Sequence, residues 1–107
     1  MRYYDKDGLP ISMKSWVTLF ETESYRVVKQ DEAKDGSWVS TVWMGLNHSI
    51  TPGKLKIFET MAFANKGSDD VLECRRYGSM KDALTGHEEV LKERNEAPRH
   101  HRRKLEP

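Results

Sequence analysis

Apolar residues recur along the chain in two rhythms, and the changes of rhythm divide it into elements. Met13, Trp16, Val17 and Phe20 stand at i, i+3, i+4 and i+7, a spacing that gathers them on one side of a helix. Ser12 just before them can accept hydrogen bonds from first-turn amides, and Ile11 and Trp16 are spaced for a hydrophobic staple. A short helix is therefore predicted over residues 13–22. Met80, Ala83, Leu84, His87, Val90 and Leu91 form a second stripe, opened by Ser79 and Asp82 in the manner of a capping box, with an acid where the helix dipole favours one.

Between the two stripes the period falls to two. Residues 25–30, 37–45, 55–64 and 71–77 read as strands rich in β-branched and aromatic side chains. In the second of these, Trp38, Ser40, Val42 and Met44 share one face and Val39, Thr41 and Trp43 the other. A tryptophan on each side predicts a central strand with neither face fully wet. In the third, Leu55, Ile57, Glu59, Met61 and Phe63 oppose Lys56, Phe58, Thr60, Ala62 and Ala64; in the fourth, Leu72 and Cys74 are expected to point inward. Asp, Asn, Gly and Ser cluster at residues 5–8, 31–36, 46–54 and 65–70 and mark turns. The order helix, four strands, helix predicts an α+β fold, a four-stranded antiparallel meander with an N-terminal and a C-terminal helix packed on the sheet.

A length of 107 residues suits one domain. That domain is assigned to residues 1–96 and a disordered basic tail to 97–107. The composition, 36% hydrophobic and 33% charged with both signs, is that of a folding chain. No run approaches the ~20 apolar residues of a membrane span, and the first residues lack the apolar stretch of a signal peptide. Cys74 is the single cysteine, so no internal disulfide can form, which suits a reducing cytoplasm. The net charge of +1 hides an asymmetry: from Arg94 onward five basic residues face only Glu96 and Glu106, leaving the rest mildly acidic. Arg99, Arg102, Arg103 and Lys104 in the tail are candidate phosphate contacts, though no aromatic residue accompanies them to stack on a base.

Candidate chemistry is sparse. His87 lies inside the apolar stripe of the last helix beside Gly86, which costs about 1 kcal/mol relative to alanine and implies that a strand or a ligand approaches closely. It reads either as a packed histidine bonded through a ring nitrogen or as a general base or metal ligand. His48, in the loop after the Trp-rich strand, would have to meet it, with Cys74 or Glu59 completing a metal set. No pattern of catalytic residues, nucleotide-binding glycines or zinc ligands is present, so no catalytic residue, metal ligand or cofactor is assigned. Arg75 and Arg76 are the basic pair within the domain; adjacent strand residues face opposite ways, which favours separate ion pairs with Glu73 or Glu59 over a joint patch.

Residues 40–48 (STVWMGLNH), 57–61 (IFETM), 76–79 (RYGS) and 83–88 (ALTGHE), with the opening Arg2-Tyr3-Tyr4-Asp5-Lys6-Asp7-Gly8, Pro10-Ile11-Ser12 and Trp16, resemble a family of small uncharacterised proteins of phages and prophages. The resemblance covers residues 1 to about 93 and implies a genomic setting without a chemistry. The expectation is a non-enzymatic accessory module that binds a host or phage protein, with homodimerisation through a strand edge or aromatic patch. The alternatives are weak nucleic-acid binding through the tail and a metal-assisted enzyme using His48 and His87. No membrane association is expected.

Overall fold

The computed structural model describes residues 2–47 and 53–96. A two-stranded hairpin, β1 (Tyr3–Tyr4) and β2 (Pro10–Ile11), leads into α1 (Met13–Glu21) and the single turn α2 (Glu23–Arg26). There follow β3 (Val27–Glu32), β4 (Trp38–Trp43), β5 (Phe58–Phe63) and β6 (Val71–Tyr77), and the chain then forms α3 (Met80–Glu96). The four longer strands make an antiparallel sheet in the order β3-β4-β5-β6, the meander predicted, with helices packed on it.

Local chemistry sets the element ends. The Ser12 hydroxyl accepts from the Ser15 amide at 3.1 Å at the start of α1, and the Ser79 hydroxyl accepts from the Asp82 amide at 3.1 Å at the start of α3. The strand expected from Tyr25 begins two residues later, because the Thr22 carbonyl accepts from the amides of both Tyr25 and Arg26 at 2.9 Å and winds α2. That turn swings Tyr25 edge-on against Trp43, with ring centroids 4.8 Å apart.

Both helix layers lie on one side of the sheet. α3 packs across all four strands, while α1, α2 and the N-terminal hairpin close the end where Trp43 sits. Trp43 is fully buried, and its indole N–H donates to the Tyr4 carbonyl at 3.0 Å. Trp16 of α1 donates likewise to the Met44 carbonyl at 2.9 Å. Gly45 makes this closure possible: its φ is +73°, and a Cβ there would stand 2.6 Å from the rings of both Trp16 and Trp43.

Three expectations about facing are corrected. In α1 the buried side is Trp16, Leu19 and Phe20, while Met13 and Val17 are exposed at 61% and 41%, because the helix caps an end of the sheet and offers only a narrow side to it. In β6, Leu72 and Cys74 face away from the helices and are exposed, since the register sets Thr60 opposite Arg75 and Phe58 opposite Tyr77 on the covered side. Trp38, equated with Trp43 by the sequence, is only partly buried on the uncovered face, with the Lys66 ammonium 5.0 Å above its ring.

The register across β4 and β5 arranges the covered face in three rungs: Trp43 opposite Phe58, Thr41 opposite Thr60, and Val39 opposite Ala62. The outer rungs anchor two apolar clusters, one of Trp43, Ile57, Phe58 and Ala83, the other of Val39, Ala62 and Val90. The middle rung is polar and divides them.

Candidate functional site

A β-branched alcohol suits a strand backbone as well as valine does, so Thr41 and Thr60 fit the sheet while bringing hydroxyls into a water-free layer. Both are buried, at 0% and 1% exposure. An unpaired hydroxyl at that depth costs about 1–3 kcal/mol. The two threonine oxygens lie 2.5 Å apart, and Thr41 Oγ1 is 2.7 Å from Nδ1 of His87, which α3 lowers onto the same rung. The far ring nitrogen, Nε2, is 2.7 Å from Oδ2 of Asp31 on β3. A register shift between Val27 and Lys29 sets Lys29 opposite Thr41 and Asp31 opposite Val39, which turns both toward α3.

The result is a chain Asp31–His87–Thr41–Thr60 running under α3 from the β3 edge to the centre of the sheet. Its inner end abuts Tyr77, whose buried hydroxyl lies within reach of Thr60 but makes no well-aligned hydrogen bond. Burial raises the Tyr77 phenol above its ordinary value. Its outer end reaches solvent at Asp31, whose side chain is 36% exposed, while the His87 side chain is wholly enclosed.

Two proton orders satisfy the chain. With the proton on Nε2, His87 donates to Asp31, Thr41 donates to Nδ1 and Thr60 donates to Thr41. With the proton on Nδ1, every hydroxyl turns the other way, and Nε2 needs a cation or a second proton to face the carboxylate. The charge state at the Asp31 end thus fixes the hydroxyl orientation down to Thr60.

A hydroxyl, an imidazole and a carboxylate in series also describe an activated nucleophile. Here the hydroxyl end is sealed: Thr41 has no exposed surface and its oxygen is already shared with Thr60. The arrangement holds one histidine ring rigidly and presents its Nε2 side toward the surface.

Gly86 is what lets α3 come this close. A Cβ there would meet Tyr77 Cζ at 2.1 Å, so the close approach expected at this glycine is made by a strand side chain. His48 lies outside the described residues, as do Arg99, Arg102, Arg103 and Lys104. Arg75 and Arg76 face opposite sides: Arg75 pairs with Glu73 at 2.9 Å and Glu93 at 2.7 Å, and Arg76 with Glu59 at 3.1 Å. Arg94 is tied to Glu73 at 2.9 Å. These cations are neutralised within the domain and form no basic patch. Cys74 is separated from His87 by the thickness of the sheet, since it lies on the uncovered face.

Sequence reasoning found His87 and missed Asp31, Thr41, Thr60 and Tyr77 as its companions. The signal was present as a threonine between two apolar same-face residues in each of two neighbouring strands, Val39-x-Thr41-x-Trp43 and Phe58-x-Thr60-x-Ala62. No protein-family model, curated protein or solved structure matches the chain. Among the described residues no helix is long and apolar enough to cross a membrane.

Proposed function

We propose that this chain is a non-enzymatic binding module that meets a protein partner with the helix-free face of its sheet. The observation that carries the reading is the one-sided cover. α1, α2 and α3 lie on the face of Thr41 and Trp43, and the opposite face brings together Trp38, Val42, Met61, Phe63, Leu72 and Cys74 with no described element over them. Val71 and Leu72 are 44% and 45% exposed, high for large aliphatic side chains on a sheet. An aromatic and aliphatic patch bordered by Lys66, Glu32 and Arg76, with Glu59 buried beneath the Arg76 guanidinium, has the make-up of a protein contact, with a largely apolar middle and a charged rim. The sealed Thr41 hydroxyl supports the non-enzymatic side of the reading. In the setting that the sequence resemblance implies, a phage or prophage accessory protein in a bacterial cytoplasm, the partner is a host or phage protein.

The test compares the full chain, L72E and K92E as baits in bacterial lysate, with light scattering of each alone. Lys92 lies on the exposed side of α3, so K92E controls for added charge. A partner, or a homodimer, kept by K92E and lost by L72E supports the reading. Equal behaviour of all three proteins overturns it.

A further inference from the structure

The outer end of the buried chain holds more than a histidine–aspartate pair. A ring nitrogen of His87, an oxygen of Asp31 and an oxygen of Glu88 all lie within 4.8 Å of one another. Ligands around a tetrahedral zinc stand about 3.3 Å apart, each about 2.0–2.2 Å from the metal. Asp31 Oδ2 and His87 Nε2 stand 2.7 Å apart in a hydrogen bond, so the partly exposed Asp31 carboxylate must draw back by about 0.6 Å to admit the ion, while the half-exposed Glu88 side chain closes in by changing rotamer. We propose that Asp31, His87 Nε2 and Glu88 form a binding site for a single zinc ion at the junction of β3 and α3.

Three features support a built site. The first is the donor set: one enclosed imidazole and two carboxylates that reach solvent make a nitrogen and oxygen environment that suits zinc. The second is the support behind the histidine. A ligating imidazole is normally held through its other nitrogen by a hydrogen bond, and Thr41 occupies that position, 2.7 Å from Nδ1 and itself braced by Thr60. Zinc on Nε2 puts the ring proton on Nδ1 and selects the chain order in which His87 donates to Thr41 and Thr41 to Thr60. The third is that the spot already draws a cation. The Lys29 ammonium lies 2.5 Å from Glu88 Oε2. Lys29 competes with the metal for Glu88, so it lowers the affinity without contributing a ligand. The site does not involve the uncovered sheet face and stands whether or not that face binds a partner.

The test is calorimetric titration of zinc into the full-length chain in a non-chelating buffer, with cobalt as a spectroscopic stand-in and NMR of the His87 ring. Glu88 and Lys29 are both half-exposed, so E88Q and K29M change the site without opening the core. The expected result is one zinc per chain, weakened at least tenfold in E88Q and tightened several-fold in K29M, with the His87 proton moved to Nδ1 on binding. Absence of binding at about 100 μM zinc overturns the proposal. So does binding that E88Q and K29M leave unchanged, which would assign the ion to other residues such as His100 and His101.

Discussion

A Cβ added to Gly86 would stand 2.1 Å from Cζ of Tyr77 and 2.2 Å from its hydroxyl oxygen. Alanine in mid-helix is otherwise favoured over glycine by about 1 kcal/mol. The contact is with an aromatic ring fixed between strand and helix, so the helix must move away from the sheet, and overpacking of that kind costs about 1–3 kcal/mol. G86A is therefore expected to lower stability despite its better propensity, measured as a lower urea midpoint. An unchanged or raised midpoint would mean that α3 does not sit this close. Y77F removes a buried hydroxyl that makes no well-aligned hydrogen bond, and its midpoint should hold or rise.

The polar rung makes an asymmetric prediction for two alike residues. T41V leaves both His87 Nδ1 and the Thr60 hydroxyl without their partner, whereas T60V removes one neighbour of Thr41 and leaves the His87 bond intact. At about 1–3 kcal/mol for each orphaned buried group, T41V should cost more than T60V, and the double variant less than the sum of the two. Thermal or urea unfolding of the three variants checks the order. Equal single effects that simply add would show that the hydroxyls are not linked.

The same rung marks the boundary of what the sequence makes legible. Strand periodicity, caps and turn residues are local, and from them the meander, its central Trp-rich strand and both long helices follow. Which face of β6 is covered depends on register against β5, a non-local fact, and Leu72 and Cys74 looked inward only because they are apolar. Trp38 and Trp43 are indistinguishable in one strand until α1, α2 and α3 all settle on the same side. His87 stood out because a histidine beside a glycine interrupts an apolar stripe. Asp31 did not, because a carboxylate in a turn-rich stretch carries no sign that a register shift will aim it beneath a helix.

Cys74 is exposed, yet its thiol is held above the ordinary range. Partial burial is the main cause, reinforced by the charge and hydrogen bond of Glu59 and opposed by Arg76. The thiolate is the reacting form. Alkylation near pH 8 should accordingly run slower than that of an unperturbed thiol and quicken as pH rises. E59Q removes the neighbouring negative charge and should speed the reaction. A Cys74 that reacts at the unperturbed rate, with no response to E59Q, would place the thiol away from Glu59. Because Cys74 lies on the uncovered face, a bulky adduct there should also block partner capture in the way L72E does.

Glu93 contributes to acid sensitivity, because Arg75 donates hydrogen bonds to its carboxylate and adds a favourable charge, which holds it below its ordinary value. As pH falls, the unfolded chain takes up this proton before the folded one does. The pair therefore stabilises the fold above the ordinary glutamate range, near pH 4.5, and that contribution is lost as pH drops toward the lowered folded value. The Glu93 side chain is more than half exposed, so salt should screen the effect. Urea midpoints of the wild type and E93Q, compared at pH 6 and pH 3 in low and high salt, test it. The wild type should lead at pH 6 in low salt, and the gap should narrow at pH 3 or in high salt. A gap equally wide at pH 6 and pH 3, in low and high salt alike, would mean that Glu93 acts through packing, with its charge contributing nothing to the fold.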